Sequence, residues 1–236
     1  MLAALGALAI PGSTSMAFEP VDDPERLMLT TRDIAASNEE AAAAYSALVS
    51  MWTREFRDRG LRFRAPRIVR YRGNTRTSCG IVPASNALYC YNNNTIYFDE
   101  VFLAAQAKIT GRSLGTDGDM AGVGIIAHEM GHAVAFQLGF RSRSSYENEA
   151  AADCLAGAFA RHAQQDGSLE RGDTEEAFFA MAAAADPDIQ MTGNRRVDAR
   201  REARQARGAH GTREQRQDNF RTGFEQGGGG CLAELR

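Results

Sequence analysis

The chain lacks a cationic surplus: 27 Lys and Arg stand against 30 Asp and Glu, a formal net charge of -3. A protein that tracks a nucleic-acid backbone needs such a surplus, so composition gives no reason to expect nucleic acid as a partner. Lysine is nearly missing, Lys108 being the only one, and a compositional bias of the source genome explains this without any function. The four cysteines include no CxxC pair, which argues against a zinc ribbon or a thioredoxin-like motif. No internal repeat appears. What remains, 236 residues of which 44% are hydrophobic and 24% charged, fits one globular domain with a sizeable core.

The first ten residues, MLAALGALAI, are apolar and lead into Pro11, Gly12 and small residues to Ala17. They resemble the h-region and cleavage region of a secretory signal, but no basic residue precedes them and the run is far shorter than the roughly 20 residues of a spanning helix. Residues 1–17 are therefore expected to be a signal or anchor whose start is missing, with a short buried helix as the competing reading. Four cysteines in such a chain fit two disulfides better than free buried thiols. Three connectivities are open. Cys79 and Cys90 flank a Pro- and Asn-containing stretch that reads as a hairpin, which favours pairing them locally and leaves Cys154 with Cys231. The expected location is periplasmic, secreted or membrane-anchored, with membrane association possible through the N-terminus.

Residues 18–36, with Pro20 and Pro24, read as an extended lead-in, and residues 37–236 as a single domain. Ser37 and Glu40 form a capping-box pattern, and Tyr45, Leu48, Trp52 and Phe56 recur at helical spacing to about Arg57, a core stripe. Arg67 to Asp99 is rich in β-branched and aromatic residues (RIVRYR, CGIV, ALYCY, TIYFD), which predicts a small, mainly antiparallel sheet. Helical spacing returns in VFLAAQAK, with a loop over Gly111 to Gly118. A second helix is expected from Asp119, able to cap it, to Leu138, where Gly139 can end it. Further helices are expected from about Glu147 to Gln165 and from Glu175 to Ala185, the latter capped by Thr174. The fold class is α+β. Between Arg195 and Arg221 nine arginines face four acidic residues. A solvated helix face explains most of that, an anionic membrane surface or acidic partner being the other reading. Gly227 to Gly230 reads as a flexible run.

The chemistry lies in His128-Glu129-Met130-Gly131-His132, an HExxH motif. Residues four apart on a helix lie about 40° from one another, so both imidazoles can share one ion, while Glu129 sits about 100° from His128, beside the open coordination position. Neutral imidazole nitrogens suit zinc. With four His and sixteen Glu, chance would produce such a motif in roughly one sequence of this kind in two hundred. Its place inside an apolar run from Val123 to Phe136 strengthens it, because unpaired polar groups there would be costly.

A catalytic zinc takes three protein ligands and leaves a fourth position for water. The elongated motif HExxHxxGxxH fails, because its Gly and third-His positions hold Ala135 and Leu138. Downstream, Glu149 and Asp153 share a helix face. A carboxylate at Glu149 can complete the site, and Asp153, one turn later, can accept the free N–H of a ligating imidazole. His162 lies about 220° from Glu149 around the same helix and is a poor ligand candidate.

The stretches TRTSCG, ALYCY, TIYFD, HEMGH, ENEAAADCLAG, HGTREQR and NFRTGF, with a final Cys231, are similar to the bacterial neutral zinc metallopeptidase family, a zincin with gluzincin-type ligands. The resemblance covers roughly Arg72 to Cys231. It implies a zincin-like sheet packed against the HExxH helix and a ligand-Glu helix. It also implies Zn2+ held by His128, His132 and Glu149, Glu129 as catalytic acid/base, and disulfides Cys79–Cys90 and Cys154–Cys231.

The expected activity is zinc-dependent hydrolysis of peptide bonds in a peptide or protein substrate, with His210, or a tyrosine such as Tyr146, as a second donor to the developing oxyanion. An ordinary surface residue is an equal reading of His210. TIYFD, if it lies at the sheet edge near the metal, could hold an extended peptide by strand addition. A zinc-stabilised binding or chaperone-like module that cleaves nothing is the alternative, against which the presence of Glu129 counts mildly. A chance motif in a structural helical protein is the third reading. The sequence does not specify an oligomeric state.

Overall fold

Thr30 and Asp33 cap each other's backbone at 3.1 and 2.7 Å, and from there the chain winds into α1 (Thr31–Asp58). The computed structural model describes residues 27–186, 192–205 and 210–234. The expected signal or anchor at 1–17 lies outside them, as does the first part of the lead-in, residues 18–26. The helix starts upstream of the Ser37 pattern because TRDIAA contains no breaker and Thr30 offers an earlier reciprocal cap. Residues 31–36 are therefore helical, and Ser37 is a buried helix residue. The predicted stripe is core: Leu48, Trp52 and Phe56 are buried, while Tyr45 is half-buried and donates its hydroxyl to Pro66 O.

Five strands follow: β1 (Arg67–Tyr71), β2 (Thr75–Thr77), β3 (Gly80–Val82), β4 (Ala87–Cys90) and β5 (Thr95–Asp99). β5 lies between β1 and β4, parallel to the first and antiparallel to the second, and β2 pairs with β3 separately. The three-stranded sheet is thus mixed, not mainly antiparallel. The link from β4 to β5 is short enough to force a hairpin, whereas the chain between β1 and β5 is long enough for a parallel return. Cys79 and Cys90 are disulfide-bonded, but no hairpin joins them, since β3 and β4 pair with different strands.

The remaining described helices are α2 (Glu100–Leu114), α3 (Asp119–Gln137), α4 (Ser145–Asp166), α5 (Asp173–Ala183), α6 (Arg195–Gln205) and α7 (Arg213–Glu234). α2 runs through Gly111 to Leu114, part of the expected loop. α3 is not capped by Asp119. Gly118 occupies the N-cap, and Glu176 of α5 accepts from the N–H groups of Gly118 and Met120, each at 3.1 Å. α5 likewise starts before Thr174, at Asp173. The Gly227–Gly230 run stays within α7, across a kink at Gly227, and Gly228 lies against Trp52.

Three close approaches bring the helices together. A Cβ on Gly131 of α3 would stand 2.7 Å from Ala152 O of α4. One on Gly157 of α4 would stand 1.9 Å from Phe220 O, and one on Gly223 of α7 1.7 Å from Cys154 O. Cys154–Cys231 ties α4 to α7 covalently. Among the described residues no helix is long and apolar enough to cross a membrane. The two disulfides fit an oxidising environment.

Candidate metal centre

α3 is apolar around most of its circumference and is covered by α1, α2, α4, α5 and β4, as expected of a helix buried on all sides. The polar residues of its HExxH stretch open onto a cavity of about 950 Å³. His128 and Glu129 are each 7% exposed, and the imidazoles of His128 and His132 meet edge to face with ring centroids 4.7 Å apart.

α4 delivers the acids. Gly131 and the alanines at 150–152 let α4 approach at backbone contact, between Glu149 and Asp153. His128 Nδ1 lies 2.8 Å from Asp153 Oδ1. A carboxylate only accepts, so Nδ1 carries the hydrogen and Nε2 faces the other way. There it meets Glu149 Oε2 at 3.1 Å, while His132 Nε2 lies 3.4 Å from Glu149 Oε1. One ligand atom each from His128, His132 and Glu149 lies within 4.8 Å of the others, so the three could hold a metal ion.

The electrostatics match this crowding. Burial disfavours a charged imidazole at His128, yet the carboxylates of Asp153 and Glu149 outweigh it and raise the group to about 10. Burial also works against a charged Glu149, but the two imidazoles hold its carboxyl well below the usual range. Between a bare Nε2 and a carboxylate oxygen at this distance, a proton or a cation has to sit.

Glu129 Oε2 accepts the Tyr89 N–H at 2.6 Å. Because β4 has no sheet partner other than β5 among the described residues, this N–H points off the sheet edge and fixes Glu129 against it. TIYFD is β5, the strand paired on both sides, so strand addition to TIYFD is excluded. Of the two edge strands, β1 and β4, it is β4 whose Ala87, Leu88 and Tyr89 border the cavity.

His210 also borders the cavity. Its Nδ1 lies 3.3 Å from Asp186 Oδ1 and its side chain is 49% exposed, so it stands at the rim. Tyr146 packs against Gly211 and is not among the residues bordering the cavity. His162 pairs with Arg54 at 2.8 Å, on the outside.

Arg216 is the residue that sequence reasoning missed. It belongs to the basic stretch read as a solvated face. That reading holds for Arg195, Arg196 and Arg200 on α6, which are exposed, and fails for Arg216, which is 2% exposed. Its Nε and Nη2 donate to Asp153 Oδ2 and Oδ1 at 3.0 and 2.5 Å, and its Nη1 to Ala184 O at 2.8 Å. Burial opposes its charge, but Asp153 overrides this and raises it. A usable signal was present: Arg216, Phe220 and Gly223 fall on one helical face, and a buried aspartate needs more than one donor.

The family model described as "Putative neutral zinc metallopeptidase" matches residues 29–231, well upstream of Arg72. The chain is 34% identical over 220 residues to the uncharacterized protein YpfJ of Escherichia coli (strain K12), an alignment spanning 84% of this chain and 72% of that one. It is 30% identical over 185 residues to the uncharacterized protein Rv2575 of Mycobacterium tuberculosis (strain ATCC 25618 / H37Rv), spanning 69% and 59%. No solved structure matches it significantly.

Proposed function

The chain belongs to the neutral zinc metallopeptidase family, and on that premise we propose that it is an exported, zincin-like peptidase that hydrolyses peptide bonds with zinc held by His128, His132 and Glu149. One observation carries the reading. With Nδ1 committed to Asp153, His128 presents Nε2 to Glu149 beside His132, and the two imidazole-to-carboxylate separations are 3.1 and 3.4 Å. Bonds of about 2.0–2.1 Å around a tetrahedral zinc separate its ligand atoms by about 3.3 Å. The donor set, two imidazoles and one carboxylate, is that of a hydrolytic zinc site with one position left for water.

Zinc bound there supplies an acidified water and a Lewis acid for the scissile carbonyl. The chain's own residues do the rest. Glu129, held by the Tyr89 N–H, takes the proton of the attacking water and returns it to the leaving amine nitrogen. β4 borders the cavity along Ala87–Tyr89, where an extended peptide backbone can lie. His210, at the rim, is the candidate donor to the oxyanion. The two disulfides support an oxidising, exported location.

The test is purification followed by metal analysis and digestion of a peptide library with a chelator control. The wild type is expected to carry stoichiometric zinc and to cut peptides, and Glu129→Gln to keep the zinc and lose the cutting. A wild type without zinc overturns the metal site, and equal turnover by Glu129→Gln overturns the assigned base.

A further inference from the structure

The longest-range contact at the site comes from α7, and nothing in the HExxH chemistry requires it. α7 approaches α4 closely enough that Gly157 and Gly223 leave no room for a Cβ, and Cys154, the neighbour of Asp153, is bonded to Cys231 of α7. Backbone contact at two glycines plus a covalent tie fixes one helix against the other in a single register. In that register Arg216 faces Asp153 as a fork, with Nε on one oxygen and Nη2 on the other.

We propose that Arg216 is a positioning residue of the metal centre, acting through Asp153 on His128; this rests on His128 being a zinc ligand. Asp153 is fully buried, and a carboxylate there has several ways to turn. The fork removes them. With Oδ2 held by Nε and Oδ1 shared between Nη2 and the His128 Nδ1–H, the carboxylate plane is fixed, and with it the imidazole plane and the direction of Nε2. Nη2 also lies 3.3 Å from His128 Nδ1. Both nitrogens are donors aimed at one oxygen, so the ring is confined from that side as well. The third donor, Nη1, is tied to Ala184 O in the turn that ends α5, so Arg216 links α3, α4 and α5 from a fourth helix. Lysine would satisfy the charge without fixing the plane.

Zinc affinity, measured by competition with a chromophoric chelator, tests this on the full chain with both disulfides formed. Arg216→Met is expected to weaken zinc about 10- to 100-fold, in the range of partners that orient a ligating histidine, and Arg216→Lys to fall between. Because Arg216→Met leaves a bare buried carboxylate and can fail to fold, Asp153→Asn/Arg216→Met is made alongside it. The neutral pair is expected to recover the melting temperature but not the zinc affinity. The split that isolates Arg216 is a lowered zinc affinity at a near-wild-type melting temperature in Arg216→Lys, which keeps Asp153 and the charge, a result that a purely structural role would not produce. In the zinc-loaded wild type the His128 Nδ1–H should give a solvent-protected imidazole resonance that exchanges away in the double variant. Wild-type affinity in either folded variant overturns the positioning role alone. A wild type that takes up no zinc overturns the metal reading and the inference together.

Discussion

Among the described residues, two groups of side chains crowd metal-type ligand atoms within 4.8 Å of one another: His128, His132 and Glu149, and Asp117, Asp119, Asp173 and Glu176. In the first, charges of opposite sign alternate. Glu149 lies between two imidazoles, and Asp153 between an imidazole and a guanidinium. The second is carboxylate throughout, yet local structure accounts for most of it. Asp119 stands in the first turn of α3, and Asp173 and Glu176 in the first turn of α5, where the helix dipole favours acids. Glu176 accepts from two N–H groups at the start of α3, and Asp173 from Glu170 N. What is left over is Asp117, exposed ahead of the α3 N-cap, and one oxygen of Asp119, Oδ1, which has no partner among the described residues. Burial, then Asp117, Asp173 and Glu176, push the Asp119 carboxyl up to about 7. Helix starts explain the second cluster, whereas the first is built from groups of opposite kind brought together by two different helices and could hold a metal ion.

The comparison breaks most sharply at Glu149. Glu149→Ala is expected to take the chain from stoichiometric zinc to none, since two imidazoles alone do not make a closed or catalytic zinc site. Asp173→Asn is expected to leave zinc content unchanged. Loss of zinc from both variants, read by elemental analysis of desalted protein, would erase the distinction between the clusters.

Much of the first cluster was legible because its parts are periodic. HExxH and the Glu149–Asp153 pair are each one helical turn, so spacing alone puts each pair on one face, and the α3–α4 contact is written in Gly131 and the alanines at 150–152. Arg216 was illegible for the opposite reason. It lies 63 residues from Asp153, and an arginine among arginines has no local mark of burial. The same distinction runs through the fold. The core stripe of α1 was periodic and was read, whereas the parallel pairing of β1 with β5 depends on which strand inserts between which, and no local pattern encodes that. The expected caps at Asp119 and Thr174 failed because Gly118 and Gly172 occupy those N-cap positions, and for α3 a glutamate from another helix binds the open N–H groups.

A smaller effect is expected where α3 meets α4. In Gly131→Ala the added Cβ would stand 2.7 and 2.9 Å from the Ala152 backbone, which cannot yield without moving Glu149 and Asp153. About 1–3 kcal/mol of stability should be lost, as for other overpacked contacts, together with some zinc affinity. Gly124→Ala on the same helix meets only the Met181 methyl at 3.4 Å and should be neutral or slightly stabilising. Urea unfolding of both variants checks this; equal destabilisation would mean that the close approach at Gly131 is not what sets the site.

The smallest effect belongs to the second cluster and follows from its proton. Asp119 is pushed up to about 7 from the ordinary carboxyl value of 3.8, so between those limits the folded chain holds a proton that the unfolded chain has lost. The stability this contributes is present at low pH, declines as pH rises through that window, and is gone above it, where the charged carboxylate opposes folding. Asp119→Asn cannot ionise. Its melting temperature should match the wild type near pH 4 and exceed it above pH 7. Asp119 is only half-buried and water screens it, so the gain should be about 1 kcal/mol, or about 2–4 °C for a chain of this size. A difference between variant and wild type that stays constant from pH 4 to pH 8 would show that the cluster does not share a proton. The contrast with the histidine site would then rest on zinc content alone.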